Sequence, residues 1–363
     1  MKEKEKMDNL SCVPPGYIIR RELKARGIKQ KDFAESIGMQ QSHLSELLKG
    51  NRSISPLTAE KIEEVLDIPS SQILLLQAEF DCMKKTALIK DAEEHSAEMA
   101  LKEYNEIFDI KVIFKRLGMK DKTSKEKLAF CKDSLHFASP KQQCSRNYGY
   151  FHRSEKSGCD ERMISTWSVL ARYEAENLPA PKGKFDKDKA DDLSRELAQI
   201  FKDNDNTINR VTRKLSDYGI KFCIVKKVDR ASIDGYTYVK DGTPSVVITK
   251  RYDRIDNMAF AVLHEIGHLK MHIKGDGEMV TVVDEEELNK KEEQAANKYA
   301  AQMLLPDEIW NDAPKVPMIP REIQNAYSAW AEKKGENKWI VLGRISHETG
   351  MYMFTSDDSR RIH

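Results

Sequence analysis

Two histidines stand four residues apart, His264 and His268, with Glu265 directly after the first and Gly267 directly before the second. Ahead of them runs the apolar stretch Met258, Ala259, Phe260, Ala261, Val262 and Leu263. That run predicts a long helix from about residue 255 to 272. On a helix, positions four apart project from one face a turn apart, so both imidazoles reach a single metal ion. Zinc suits such donors, and a carboxylate beside the first ligand is placed to take a proton from water on the metal. Composition alone makes this spacing rare in a chain with nine histidines. A glycine inside a helix costs about 1 kcal/mol against alanine, so Gly267 suggests that something approaches that face closely. The plainer alternative is a pair of satisfied surface histidines on an ordinary helix.

A metal so held needs a third ligand. His272 extends the face by another turn, but the metzincin spacing wants glycine three and histidine six positions after the second ligand. Those positions hold Met271 and Lys274, so that pattern fails. Downstream, residues 292–306 read as a second helix on which Glu293 and Asn297 share a face. Glu293 is then able to bind zinc while Asn297 orients a ligand histidine. Helical phase alone hardly separates Glu293 from Glu292.

The other end of the chain follows a different pattern. Residues 30–37 read as a short helix with Phe33, Ala34 and Ile37 on one face, Gly38 as a tight turn, and residues 40–48 as a second helix ended by Gly50. Small Ala34 lets the two helices approach at a steep angle. With Leu44, Leu47 and Leu48 inward, Gln40, Gln41, Ser42, His43 and Glu46 face solvent, where side chains reach base edges in a major groove. Arg20, Arg21, Lys24, Arg26, Lys29, Lys31, Lys49 and Arg52 are set against Glu22, Asp32, Glu35 and Glu46, a local basic excess suited to phosphates. Gln30, Gln40, Gln41, Ser42, His43 and Arg52 are the candidate DNA contacts. A helical bundle that docks proteins is the plainer alternative.

A length of 363 residues favours two or three domains, and a formal net charge of +1 gives no global pull towards nucleic acid. The expected division is a helix-turn-helix domain over 12–80, a helical connector over 81–185 and an α+β zincin-like domain over 186–363. Residues 178–185, with two prolines and a glycine, read as a linker or ordered boundary loop. A helix follows from about 186 to 201. Runs at 221–226, 236–239 and 245–249 then read as strands, with turns at Asp234-Gly235 and Asp241-Gly242. No apolar leader or membrane-length run is present, so the chain reads as cytoplasmic with no membrane partner. The six cysteines form no CxxC pair and read as reduced thiols. Cys131, His136, Cys144, His152 and Cys159 match no zinc template in their spacing and read as structural.

Residues 15–23, 30–50 and Ser55-Pro56 resemble the helix-turn-helix of HigA-type antitoxin repressors within the Xre class. Such proteins bind palindromic operators as dimers, so the resemblance implies operator DNA and a homodimer. The helix from His264 to His268, followed by Glu293, Ala296, Asn297, Tyr299 and Ala300, resembles the ImmA/IrrE metallopeptidases. Ala295 departs from the second glutamate of that signature and Tyr299 from its phenylalanine, and the family's ligand falls on Glu293. Ile233 to Gly235, Asp253 to Asp256, residues 340–347 and, more weakly, 150–154 resemble stretches of HigA-like repressors fused to such peptidases. The resemblance implies a repressor whose zinc endopeptidase domain, with Glu265 as base, cuts itself or a partner repressor. A rival reading is an antitoxin and autorepressor whose second domain senses a signal or binds a cognate toxin. A purely structural zinc is disfavoured, because three protein ligands leave a position open. Arg344 and His347 either approach the site or serve structure.

Overall fold

The computed structural model describes residues 13–139, 160–250, 253–275, 278–282, 290–316 and 319–363. Cys12, Cys144, His152, Cys159 and the stretch 150–154 lie outside them. Contacts divide the chain into two compact units, Met1–Met99 and Ala100–His363.

The first unit is all-helical: α1 (Pro15–Ala25), α2 (Gln30–Ser36), α3 (Gln41–Leu48), α4 (Pro56–Leu66) and the start of α5 (Ser70–Ile107). Phe33, Ala34, Leu44, Leu47 and Leu48 are buried together with Ile19 and Leu23 of α1. Gly38 supplies the turn between α2 and α3 at φ +66°, a conformation that costs glycine little. Helix α4 starts on Ser55, whose side chain accepts from the Thr58 amide, with Pro56 in the first turn. That cap satisfies a backbone donor the helix cannot.

The second unit holds helices on both faces of a four-stranded sheet. In chain order come the end of α5, α6 (Ile110–Arg116), α7 (Ser124–Asp133), α8 (Glu161–Glu176), α9 (Ala190–Asp203) and α10 (Thr207–Asp217). Strands β1 (Lys221–Lys226), β2 (Ile233–Lys240) and β3 (Thr243–Lys250) follow, then α11 (Ile255–Met271) and β4 (Glu278–Val282). Four helices close the unit: α12 (Lys290–Leu304), α13 (Asp307–Trp310), α14 (Pro320–Lys334) and α15 (Lys338–Thr349). The sheet order is β1-β3-β2-β4, with β1 parallel to β3 and the other pairings antiparallel.

Side-chain alternation divides the core. Val246 and Ile248 join α9, α11, α12 and α15 on one face, whereas Val247 joins the other. On that other face Ile164, Trp167, Leu170, Ala171 and Ala175 of α8 pack with Tyr236 and Tyr238. The segment between α8 and α9 is ordered, with Lys182 and Gly183 amides donating to the side chain and backbone of Ser216.

The expectation of a turn at Asp234-Gly235 is corrected. Both residues lie inside β2, where a register shift against β4 falls between Ile233 and Gly235. The turn at Asp241-Gly242 stands, with φ of +52° and +71°. Among the described residues no helix is long and apolar enough to cross a membrane.

The helix that bears His264 is fixed at its first turn by Asp256. Arg360 donates to its carboxylate at 2.8 and 3.2 Å, Arg254 at 2.7 and 3.3 Å. Asp256 and Arg360 are buried, and Arg360 stacks on Trp339 at 4.6 Å. Burial alone pushes this carboxyl up, but the two guanidiniums outweigh it and hold it below the usual range. A depressed folded value means the pair stabilises above the unfolded value of about 4, and that contribution is lost as pH falls through the folded one. Asp256→Ala should cost about 3 kcal/mol or more at neutral pH, because Arg360 is left buried without its carboxylate. Melting curves across pH should show the gap from wild type narrowing in acid. A constant gap down to pH 2 would contradict the assignment.

Candidate metal centre

His264 and His268 rise one turn apart on α11, both buried, and Glu293 reaches them from α12. The Nε2 atoms of the two histidines lie 2.9 Å apart. The Glu293 carboxylate oxygens lie 3.1 Å from Nε2 of His264 and 3.2 Å from Nε2 of His268. Donors at about 2.0–2.1 Å around a tetrahedral ion are themselves about 3.3 Å apart, so the triangle has nearly metal-binding dimensions. The close approach of α12 depends on Gly267. A Cβ there would lie 3.1 Å from the Tyr299 ring and 3.3 Å from the Ala296 backbone.

The outer nitrogens decide which atoms face the centre. His264 Nδ1 sits 2.8 Å from the Asn297 amide oxygen, an acceptor only, so the proton rests on Nδ1 and Nε2 presents its lone pair. His268 Nδ1 pairs with His272 Nδ1 at 2.9 Å. With its proton on Nδ1, His268 likewise turns a bare Nε2 inward. His272 thus has a positioning contact that sequence spacing left open, and Asn297 stands where the helical face put it.

Burial lowers the pKa of His264, but the Glu293 contact and the charges of Glu265 and Glu293 outweigh it and raise the value. Burial likewise pushes Glu293 up, yet its contacts with His264 and His268 bring it down to about 2. The negative potential that favours a proton here also favours a divalent cation. Two imidazoles and one carboxylate from adjoining helices fit a metal with an open coordination position.

Glu265 is fully buried and points towards β2, where the Thr237 hydroxyl donates to its Oε2. A Cβ at Gly235 would lie 2.0 Å from Glu265 Oε1. Gly235 therefore makes room for the carboxylate, which is why a glycine stands inside this strand. Sequence patterning missed both Gly235 and Thr237 as site residues. A glycine interrupting a β-rich run was the available signal.

A cleft of about 760 Å³ opens on this centre, with His264, Glu265, Glu293 and Asn297 in its lining. Arg344 lines it too, but is engaged in structure: it donates to Asp307 at 2.8 Å, to Glu348 at 3.0 Å and to the Leu305 carbonyl. His347 is exposed along the same cleft, its ring 5.5 Å from Phe260.

In the first unit, Gln30, Gln40, Gln41, Ser42, His43 and Arg52 are all exposed. Gln41, Ser42 and His43 form the first turn of α3, with Gln40 at its cap. Glu46 is tied to Asn51 at 2.9 Å and Lys49 at 3.3 Å.

Residues 19–73 match the profile of the helix-turn-helix family, and residues 216–331 match the IrrE N-terminal-like domain of the M78 peptidases. The chain joins a helix-turn-helix to a metallopeptidase-type domain. No curated protein matches it. The second match spans β1 to α14, so it contains the triad and Glu265 but stops short of α15. The first type of domain belongs to DNA-binding regulators and the second to metal-dependent enzymes that act on proteins.

Proposed function

We propose that the chain is a transcriptional repressor whose second unit is a zinc endopeptidase, and that cutting a repressor, this chain or a partner, relieves repression. The observation that carries the reading is the convergence of His264, His268 and Glu293 beside buried Glu265, in a chain that also bears a helix-turn-helix.

His264, His268 and Glu293 would hold the zinc. Bound there, zinc supplies a Lewis acid and makes water a competent nucleophile near neutral pH. Glu265 takes the proton from the attacking water and later returns one to the leaving amine. Thr237 holds the Glu265 carboxylate from the strand side. Asn297 and His272 fix the planes of the two imidazoles, so neither ring turns to present its other nitrogen.

In the first unit, Gln40, Gln41, Ser42 and His43 read base edges, and Gln30 and Arg52 contact the backbone of an operator bound by a homodimer. Such a protein works where the DNA is, in the cytoplasm. Full-length chain should bind DNA from its own promoter much more tightly than a scrambled sequence. With about six phosphate contacts, affinity should fall roughly a thousandfold between 50 and 200 mM salt. Equal affinity for scrambled DNA would contradict specific repression.

A further inference from the structure

His347 stands on α15, beyond the residues that match the peptidase family, and lines the cleft that opens on the metal centre. Two contacts fix its helix to the helices that carry the ligands. Gly343, one turn earlier, lies against α11, where a Cβ would come 3.1 Å from the Asp256 Cβ. Arg344 donates to the Leu305 carbonyl just past α12 and to Asp307 at 2.8 Å. The His347 side chain is exposed, its ring 5.5 Å from that of Phe260, which in turn lies 6.1 Å from the His264 ring. Among the described residues no group bonds to either ring nitrogen of His347. The centre itself offers a substrate only acceptors. Glu265 and Glu293 are carboxylates, and His264 and His268 turn bare Nε2 atoms inward. Two guanidiniums in the lining are engaged, Arg254 with Asp256 and Arg344 with Asp307 and Glu348. Lys298, exposed on α12, is the remaining lysine or arginine of the lining.

We propose that His347 is a catalytic residue, whose imidazole N–H donates to the carbonyl oxygen of the scissile peptide bond as negative charge develops there. The proposal rests on the peptidase reading above and adds a residue to its machinery. In the first step the water oxygen bonds to the carbonyl carbon, the second C=O pair moves onto the carbonyl oxygen, and the water proton goes to Glu265. That oxygen is where an N–H lowers the barrier, and an imidazole always carries at least one. In the second step the carbonyl re-forms, the C–N bond breaks with its pair on nitrogen, and Glu265 returns the proton there. His347 gives up no proton in either step. Loss of one such donor costs about a hundredfold to a thousandfold in turnover.

The test uses the zinc-loaded full chain, a tryptic digest of whole-cell protein as a peptide mixture, and a synthetic peptide built on the fastest cut. His347→Phe keeps an aromatic ring against Phe260 but has no N–H. It should retain zinc, lower kcat about a hundredfold and leave KM nearly unchanged, as when an interaction made only in the transition state is removed. His347→Gln, which keeps an N–H, should recover about tenfold of that loss. Calorimetry adds a readout that needs no cleavage. N-phosphoryl-Leu-Trp, whose tetrahedral phosphoryl oxygens carry the charge, should bind His347→Phe at least about tenfold more weakly than wild type. Acetohydroxamate, which engages the metal without a tetrahedral centre, should bind both alike. Unchanged kcat in His347→Phe, or equal losses in the Phe and Gln variants, overturns the proposal, while cutting by wild type keeps the peptidase. A loss that follows Lys298→Met and spares His347→Phe gives the donor role to Lys298 and overturns it as well. No cut by wild type, with the phosphoryl compound still weakened by His347→Phe, sinks the peptidase but keeps His347 as the donor that meets the anion. No cut and no such weakening sinks both.

Discussion

Purified from metal-replete medium, the chain should carry about one zinc ion, and His264→Ala or His268→Ala should lose it on dialysis. The triangle of Nε2, Nε2 and carboxylate, with sides of 2.9, 3.1 and 3.2 Å, holds no redundant donor. Removing an imidazole leaves two ligands, too few for a site whose catalytic form uses three protein donors and one open position. Glu293→Ala should act like the histidine variants, whereas Glu292→Ala should not, because the contacts with both imidazoles come from residue 293. Asn297→Ala and His272→Ala should weaken binding about 10- to 100-fold, as expected when a ligand loses the partner that fixes its ring. Elemental analysis and a competitive chelator titration measure all of this. Stoichiometric zinc in the double histidine variant would sink the assignment.

Local pattern carried far in this chain, and its limits are physical. The helix from Ile255, the pair His264 and His268, and the tight approach implied by Gly267 were legible because each depends on residues within a few turns. The same holds for α3, whose inward leucines leave Gln41, Ser42 and His43 outside. The choice between Glu292 and Glu293 was not legible, since adjacent helical positions differ by about 100° and a long side chain spans that difference. Asp256 and Arg360 lie 104 residues apart, and no local period links them. Gly235 resembled a turn because glycine marks turns more often than cavities. The buried face of α8, with Ile164, Trp167, Ala171 and Ala175, lies in a stretch whose pattern was legible only as helical. What that face covers, Tyr236 and Tyr238 on the sheet, depends on tertiary packing.

Glu265→Gln should abolish proteolysis while leaving zinc content and operator binding as in wild type. Glutamine keeps the size and can still accept from the Thr237 hydroxyl, but at neutral pH it takes no proton from water. Rates of peptide cleavage should fall on the order of a thousandfold, the scale of a lost general base. The ligands stay untouched, because Glu265 turns towards β2 while Glu293 meets the two imidazoles from α12. In cells the consequence is repression that inducing stress no longer lifts. If the chain is its own substrate, the cut is expected in the middle of α5, where residues 84–93 are all exposed. A protease binds its substrate extended, so these turns must first fray, and exposed helix turns without packing open at low cost. The comparison follows promoter output and fragment size together, wild type against Glu265→Gln, under the same stress. Induction with fragments in wild type and neither in the variant supports the repressor that is relieved by cutting. Equal induction in both, with no fragment in either, makes the second unit a sensor, and the antitoxin reading then accounts for the chain.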